Sequence, residues 1–318
     1  METLWIVVPC YNEQEVIEKT CFALCEKLET MISMGGSIAE NSKVCFVDDG
    51  SIDSTWKILE SLSGKWSNRI VSIKMSRNNG HQNALMAGLM YAKNWADIVI
   101  SMDADLQDDI DTIDCMVEEY KKGNEIVYGV RNNRESDSFF KRKTAELFYT
   151  VAKKCGVELV ANSADFRLMS KKVLVCLEEY QEVNLFLRGI VPLLGFRSSC
   201  VYYRRNKRMA GESKYPLKKM VHFAIDGITS FSIYPIKLIT RMGLVFCLIG
   251  ALVILWNIYC KINGNVVQGW TSIVASIWLI GGVQICAIGV LGEYIGKIYM
   301  ETKHRPRYFY EKIINKEE

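Results

Sequence analysis

Two carboxylates stand one residue apart near the middle of the sequence, shortly after an apolar run. Asp103 and Asp105 follow residues 98–100, and Gln107 comes two positions later. Side chains at i and i+2 of an extended chain point to the same side, so both acids can face one hard divalent cation. Mg²⁺ or Mn²⁺ held by few protein oxygens has room for phosphate and stabilises a diphosphate leaving group. An Asp-x-Asp pair alone is also typical of an ordinary acidic surface turn, so its meaning depends on its surroundings.

Five apolar runs in the first half of the sequence are each followed by polar residues. The runs are short and bounded by polar or turn-forming residues, as buried parallel strands are: residues 4–8, 44–47, 70–75, 98–102 and 126–130. Apolar residues at helical spacing lie between them, which predicts an α/β fold with a doubly wound, mostly parallel, Rossmann-like sheet. Ligands of such sheets bind beyond the carboxyl ends of the strands. We therefore expect one functional rim, made by residues 9–13, 48–51, 77–82, 103–107 and 131.

Composition and missing motifs narrow the function classes. The net charge of +3 over 318 residues gives no support to a nucleic-acid partner. The 11 cysteines include no Cys-x-x-Cys pair and no signal peptide is recognisable, so reduced thiols in the cytosol are expected. No Gly-x-Gly-x-x-Gly follows the first apolar run and no P-loop motif occurs, so neither a dinucleotide site nor a P-loop site is supported.

Two long uncharged stretches predict a membrane hairpin within residues 241–297. Residues 242–260 and 270–292 contain 19 and 23 residues without a formal charge, long enough to cross a hydrocarbon core of about 30 Å as helices. A buried hairpin of a soluble protein is the alternative. Basic residues flank the pair on both outer sides, which places both ends and a tail at residues 298–318 in the cytosol. Residues 216–240 mix apolar and charged residues in the manner of interfacial amphipathic helices.

A basic segment precedes this membrane region. Between Arg204 and Lys219 there are seven basic residues and one acid, Glu212. A solvated cationic loop would have the same composition. Its position beside the membrane instead favours contact with anionic headgroups and a lipid phosphate.

Several motifs, in order, resemble those of the family 2 inverting glycosyltransferases of GT-A fold. The resemblance is to the polyprenyl-phosphate glycosyltransferases related to dolichyl-phosphate mannose synthase, and within them to the bactoprenol glucosyltransferases. It rests on residues 8–13 (Val-Pro-Cys-Tyr-Asn-Glu), 47–51 (Val-Asp-Asp-Gly-Ser), 77–82 (Arg-Asn-Asn-Gly-His-Gln), 103–107 (Asp-Ala-Asp-Leu-Gln), 164–169 (Ala-Asp-Phe-Arg-Leu-Met) and 211–215 (Gly-Glu-Ser-Lys-Tyr). It implies a GT-A catalytic domain over residues 1–215.

The resemblance also assigns roles to residues of this sequence. It implies nucleotide binding by Pro9, Tyr11, Asn12, Glu13, Asp48, Asp49, Gln82, Asp103 and Arg131. It implies that Asp103, Asp105 and Gln107 hold Mg²⁺ or Mn²⁺, with Asp105 and Asp165 as catalytic residues. Contact with the acceptor phosphate is implied for Arg167, Arg208, Ser213 and Lys214. Balancing the charge of Asp165 is the alternative for Arg167. An exposed Arg131 would be solvated in many proteins, and for His81 a ligand contact and a plain surface position are equally compatible with the sequence.

Asp165 is less needed as a proton acceptor than a base that acts on a sugar hydroxyl. A phosphate monoester has its second pKa near about 6 and is mostly dianionic at neutral pH. Help from a general base is therefore worth less, and Asp165 is expected to orient the acceptor or the cation.

The resemblance implies transfer of a sugar, with glucose favoured, from a UDP-sugar to polyprenyl (undecaprenyl) phosphate. Inversion at the anomeric carbon and a multi-pass location in the cytoplasmic membrane, with the catalytic domain in the cytosol, belong to this expectation. A downstream flippase and glycan transferase would use the product, and a homo-oligomer is left open. The alternatives are a mannose or N-acetylhexosamine synthase that uses another nucleotide-sugar, and a non-catalytic membrane scaffold. A processive polysaccharide synthase is disfavoured because no Gln-x-x-Arg-Trp motif occurs.

Overall fold

A single mixed sheet of eight strands organises the chain. The computed structural model describes residues 1–33, 37–132, 160, 163–183, 185–204 and 269–316, with scattered positions between 236 and 259. The strand order is β7-β5-β6-β4-β1-β2-β3-β8. The strands are β1 Leu4–Cys10, β2 Lys43–Asp48, β3 Ile70–Met75, β4 Ile98–Ser101, β5 Ile126–Arg131, β6 Ser163–Ser170, β7 Ser198–Tyr203 and β8 Tyr310–Ile314. The first five correspond to the five predicted strands.

Parallel pairing dominates the centre of this sheet. β1 pairs in parallel with β2 and β4, β2 with β3, and β5 with β7. β6 lies antiparallel between β4 and β5, and β8 is antiparallel to β3. The predicted doubly wound, mostly parallel α/β fold is therefore confirmed, with two antiparallel strands that the apolar pattern does not reveal.

Helices cover both faces of the sheet. They are α1 Ile17–Ser33, α2 Thr55–Lys65, α3 His81–Ala92, α4 Thr112–Lys121, α5 Lys171–Glu178, α6 Leu187–Leu193 and α7 Trp270–Thr302. On β1, Leu4, Ile6 and Val8 pack with α1, α2 and α4, whereas Trp5 and Val7 pack with α3, α5 and α6. Because both faces are buried, the central strands are continuous apolar runs rather than alternating ones.

The register of β6 places residue 165 beside the end of β4. Ser101 of β4 pairs with Arg167 of β6 in an antiparallel ladder. Continued by two residues, the same register brings Asp103 level with Asp165. Ser101 strengthens this junction, since its hydroxyl donates to the carbonyl oxygens of Asp165 and Arg167.

The C-terminal helix runs further than the predicted second span. α7 continues from Trp270 to Thr302, beyond residue 292. Among the described residues, one helix has the length and composition needed to cross a membrane, Leu279–Thr302. Every described position between 242 and 259, in the first predicted span, is helical. The predicted interfacial segment at residues 216–240 lies almost entirely outside the described residues.

After α7 the chain returns to the catalytic sheet. The residues treated as a tail in the sequence include β8, whose Ile314 pairs with Ser72 of β3. At the end of α7, Glu301 Oε1 accepts from the amide of Val183 at 2.7 Å, and Arg307 donates to the carbonyl of Tyr180. The end of the apolar helix is thereby tied to the segment that leads into α6.

Candidate active site

The acidic turn, residues 103–108, follows β4 and is held in place by the protein around it. The Thr20 hydroxyl donates to the carbonyl of Ala104 at 2.7 Å, and the amide of Gln107 donates to Asp105 Oδ1 at 3.2 Å. Leu106 has a φ of 53°, a left-handed conformation that bends the turn sharply. Asp103 and Asp105 therefore stand on a fixed backbone at the carboxyl end of a central strand.

Negative charge dominates around Asp103. Its pKa is raised to about 6 by burial and by the neighbouring carboxylates of Asp165, Asp108 and Asp105, against the opposing effect of His81. Burial and the neighbouring carboxylates both disfavour the Asp103 anion. A cation bound here would offset them.

Asp108, which no sequence motif marks, anchors the end of the acidic turn to the ends of β5 and β7. Its buried Oδ1 accepts from Arg131 Nη2 at 3.2 Å and from the Tyr203 hydroxyl, and Arg131 Nε donates to the same hydroxyl at 3.1 Å. Asp108 Oδ2 is buried and has no hydrogen-bond partner within the described part of the chain. Arg131, expected near the nucleotide, thus has its guanidinium on Asp108 and Tyr203, with the Asp108 charge raising the arginine pKa against the effect of burial.

Asp165 is surrounded by donors that form a second group, here called the Asp165 cluster: Asp165, Arg167, Arg188, His81 and Gln82. Arg167 Nη2 lies 2.7 Å from Asp165 Oδ1, and Arg188 Nη2 lies 3.4 Å from Oδ2. His81 Nε2 and Gln82 Nε2 lie 3.3 Å and 3.2 Å from Oδ2. Burial alone would raise the pKa of Asp165, but Arg188, the His81 hydrogen bond and Arg167 hold it well below its usual range.

The surroundings of Arg167 differ from those expected of an acceptor-binding residue. Its side chain is 1% exposed, and Nη1 donates to the carbonyl of Leu187 at 3.2 Å while Nη2 binds Asp165. A guanidinium in this position balances a buried carboxylate. In the described conformation it does not lie at a surface that a lipid phosphate reaches.

His81 and Gln82 bring the start of α3 into the site. His81 Nε2 stands between the two carboxylates, 3.3 Å from Asp165 and 3.6 Å from Asp103. Burial lowers the pKa of His81, but the hydrogen bond to Asp165 and the charge of Asp103 raise it above its ordinary value overall. Gln82 bridges two elements, since its Oε1 accepts from the amide of Leu187 at 3.2 Å. Of the two positions left open for His81, the structure supports the one inside the site.

The two loops expected to hold the nucleotide are joined to each other. Asn12, with a φ of 53°, donates its amide to Ser51 Oγ at 2.9 Å and accepts from the amide of Ile52 at 3.0 Å. The Glu13 amide donates to Thr55 Oγ1 at 2.9 Å. Pro9 pairs with Val47 inside the sheet, so only the residues after it reach the rim.

The two acids after β2 have different surroundings. Asp48 is fully buried at the strand end, where burial raises its pKa and the Ser51 amide is 3.3 Å away. Asp49 accepts from the amides of Asn79 and Gly80 at 2.8 and 2.9 Å, which ties the loop after β3 to the loop after β2. The contacts of Asp49 are therefore with the protein, and its expected contact with nucleotide stays a prediction.

Gly50 is required where these loops meet. It has a φ of +68°, and a Cβ there would lie 2.7 Å from the backbone carbon of Arg77 and the amide of Asn78. Any other residue would push the loop after β3 away from its place, together with the His81 that follows it.

Some of the remaining predicted site residues lie on the rim, and the others lie outside the described residues. Tyr11 is exposed, and Gln107 is half-buried in the acidic turn. Arg208, Ser213 and Lys214, predicted to contact the acceptor phosphate, lie outside the described residues. Arg188, Asp108 and Tyr203 were missed. The only sequence signal for Arg188 is a charged residue between apolar Leu187 and Ile190.

The donor set fits a divalent cation that shares its ligands with a substrate. Within residues 1–33, 37–132, 163–183, 185–204 and 269–316, no group of three or more His, Cys, Asp or Glu side chains forms a complete metal cage. Two carboxylates with an excess of negative charge are instead suited to Mg²⁺ or Mn²⁺, which keeps open positions for phosphate oxygens.

Comparison with known proteins identifies the class. The sequence matches the family described as glycosyl transferase family 2 over residues 5–177, and the GtrB C-terminal hairpin over residues 234–298. The family 2 match runs from β1 to α5. It includes the acidic turn and every member of the Asp165 cluster except Arg188. The chain belongs to glycosyl transferase family 2, with the GT-A fold predicted from its motifs.

Individual relatives show which members of the family the chain is similar to. The chain is 50% identical over 307 residues to an uncharacterized glycosyltransferase of Bacillus subtilis, YkoT, covering 96% of this chain and 90% of the relative. It is 39% identical over 305 residues to the bactoprenol glucosyl transferase of Shigella phage SfV, covering 95% and 96%. It is also similar to the solved glucosyl-3-phosphoglycerate synthase of Mycobacterium tuberculosis, with 16% identity, a TM-score of 0.46 and coverage of 72% and 79%. The predicted resemblance to bactoprenol glucosyltransferases is confirmed by the full-length sequence matches.

Proposed function

We propose that this protein transfers glucose from UDP-glucose to the phosphate of undecaprenyl phosphate, with inversion at the anomeric carbon. The observation that carries the proposal is the position of Asp103 and Asp105, two carboxylates on one fixed turn, at the carboxyl edge of a family 2 sheet. Relatives named as bactoprenol glucosyl transferases, at 37–39% identity over nearly the whole chain, support the lipid acceptor and the sugar.

The reaction exchanges one phosphate ester for another at the anomeric carbon. An acceptor phosphate oxygen attacks C1 of the sugar as the bond from C1 to the donor diphosphate breaks. Departure of the diphosphate builds negative charge, which a divalent cation held by Asp103, Asp105 and Gln107 would neutralise. The acidic turn would thereby position the cation beside the departing diphosphate.

Asp165 fits a positioning role better than that of a proton acceptor. Its carboxylate already accepts from Arg167, Arg188, His81 and Gln82 and has a depressed pKa. A carboxylate so engaged is a weak base, and a dianionic phosphate needs no base to attack. We assign Asp165 the task of holding His81 and Arg188 in place beside the reacting groups.

Location in the cytoplasmic membrane as a hairpin belongs to the same proposal. α7 is long and apolar enough to span, residues 234–298 match a hairpin family, and β8 after α7 joins the catalytic sheet. Since β8 returns to the catalytic domain, the end of α7 lies on the same side of the bilayer as the active site. Basic residues on both outer flanks support a cytosolic location for that side.

The test is a transfer assay with the full-length protein in detergent. Labelled UDP-glucose, UDP-N-acetylglucosamine, UDP-galactose and GDP-mannose are each incubated with undecaprenyl phosphate and MnCl₂, and lipid products are separated by thin-layer chromatography. A single glucolipid from UDP-glucose is expected. A product from another donor would replace glucose in the proposal, a polymer would favour a polysaccharide synthase, and no product from any donor would favour a scaffold.

A pair of variants ties the activity to the acidic turn. Asp105→Ala is expected to lower transfer by about 100-fold or more, because one ligand of the cation is lost. Asp111→Ala, in an exposed ion pair with Lys27 nearby, is the matched control and should keep full activity. Near-normal turnover of folded Asp105→Ala protein would contradict the metal role.

A further inference from the structure

Two arginines contact Asp165 in the Asp165 cluster, and they differ in distance and exposure. Arg167 lies 2.7 Å from Asp165, with side chains 1% and 6% exposed, so this buried pair is already electrically balanced. Arg188 contacts the same carboxylate at 3.4 Å through both Nε and Nη2. Its side chain is 41% exposed. Arg188 therefore makes the longer contact and presents its guanidinium on the solvent side of the cluster.

The backbone around Arg188 is fixed on both sides. The amide of Leu187 donates to Gln82, and the carbonyl of Leu187 accepts from Arg167. Leu187 and Ile190 are buried in the core on the α3 side of the sheet. The chain before α6 is further held at Val183 by Glu301. An arginine on so rigid a base presents its guanidinium in one place, which favours recognition of an anion over a mobile surface charge.

We propose that Arg188 binds a phosphate group of a substrate in the active site. This inference rests on the proposed function and adds a ligand contact that the sequence motifs did not include. A planar guanidinium binds phosphate oxygens through two parallel hydrogen bonds. The looser contact of Arg188 with Asp165 can be exchanged for such a phosphate while Arg167 keeps the buried carboxylate neutralised.

Two groups in the proposed reaction have this chemistry, the donor diphosphate and the acceptor phosphate. His81 connects the cluster to Asp103 and hence to the donor side. The opposite side of the site would receive the acceptor. Both groups present phosphate oxygens near the acidic turn. Measuring the KM of each substrate shows which of the two Arg188 contacts.

The experiment measures KM for UDP-glucose and for undecaprenyl phosphate with full-length Arg188→Gln and Arg188→Lys protein. Arg197→Gln, an exposed arginine just after α6, is the matched control. Arg188→Gln is expected to raise the KM of one substrate by about 10- to 100-fold, the loss typical of hydrogen bonds to a charged group. The KM of Arg188→Lys should lie between those of the unsubstituted and Arg188→Gln proteins, because lysine keeps the charge and loses the paired hydrogen bonds. The substrate whose KM rises identifies the phosphate.

A purely structural role for Arg188 makes a different prediction. If it only positions Asp165, kcat falls while both KM values stay within about twofold of the control, and the proposal is wrong. Should Arg188→Gln fail to fold, the Arg188→Lys KM values decide in the same way.

The two proposals can fail separately. If the unsubstituted protein transfers no sugar from UDP-glucose, the proposed function is wrong. Calorimetric binding of farnesyl phosphate and of UDP to the unsubstituted and Arg188→Gln proteins then tests Arg188 alone. Weaker binding of either probe to the variant supports the inference, and equal or no binding overturns it.

Discussion

The acidic turn and the Asp165 cluster lie side by side, yet Asp103 of the turn and Asp165 of the cluster have opposite pKa shifts. Burial raises the pKa of both Asp103 and Asp165, so burial does not explain the difference. Asp165 is paired with two arginines, whereas Asp103 faces mainly other acids. Asp165 has its counter-charges within the protein, whereas we propose that the acidic turn receives part of its counter-charge from a divalent cation that arrives with the substrate. Four predictions test this contrast.

Removal of divalent metal should have the largest effect. With EDTA in the assay, transfer by the full-length protein is expected to fall to background, because the acidic turn then lacks the positive charge that meets the departing diphosphate. Activity should return when Mg²⁺ or Mn²⁺ is added in excess over the chelator. Unchanged turnover with EDTA at saturating donor would contradict the cation role of the acidic turn.

Asp165→Asn should destabilise the folded protein. The free energy of unfolding is expected to fall by about 3–5 kcal/mol, since the buried Arg167 would lose its counter-charge. Urea unfolding of the detergent-solubilised protein measures it. Asp111→Asn, at a side chain that is 85% exposed, is the control and should change stability by less than about 1 kcal/mol. Equal stability of the two variants would mean that the Asp165 cluster is not held together by its charges.

Tyr203→Phe should have a smaller effect on the same measurement. It removes the hydrogen bond from the Tyr203 hydroxyl to the buried Asp108 carboxylate, for which a loss of about 1.5–3 kcal/mol is expected. The neighbouring Tyr202→Phe is the matched control, because that side chain is 63% exposed. If both variants unfold alike, Asp108 does not brace the acidic turn through Tyr203.

Asp103→Asn should have the smallest effect on stability and the opposite sign. A carboxylate whose pKa is raised is less stable as an anion in the fold than in the unfolded chain, so above about pH 6 the neutral amide removes an unfavourable charge. At pH 8 in EDTA a gain of less than about 1 kcal/mol is expected, since solvent screens a partly exposed group. Activity should be lost all the same. A clear loss of stability would show that Asp103, like Asp165, is compensated within the protein.

Much of the rim was predictable because its signals are local. The residues after β1, β2, β3 and β4 follow apolar runs whose carboxyl ends must meet in a parallel sheet, so Asp48, His81 and Asp103 could be assigned to one edge. The strands β6, β7 and β8 could not be placed in this way. β7 begins with two serines, β8 has two adjacent charged residues, and β6 alternates between apolar and charged residues. In β6 Arg167 is buried only because Asp165 neutralises it.

Roles within the site were less predictable than positions. The resemblance implied a nucleotide contact for Arg131 and an acceptor-phosphate contact for Arg167, with balance of the Asp165 charge as the alternative for Arg167. Each has its guanidinium on a buried carboxylate. Nothing in the neighbouring residues distinguishes an arginine that neutralises an acid from one that binds a ligand. Arg131 and its partner Asp108 are 23 residues apart in the sequence, whereas Arg167 and its partner Asp165 are only two residues apart in β6.

The sequence by itself determined the family, through the resemblance of its motifs. It also determined the sheet edge that carries the paired acids and the apolar C-terminal helix, because these follow from spacing and periodicity, which are properties of short stretches of chain. The tertiary structure alone decided which acid is balanced and which is not. His81 meets Asp165 across 84 residues, and Glu301 meets Val183 across 118. Charge compensation depends on such distant contacts, because the electrostatic energy of a carboxylate is set by what surrounds it in space.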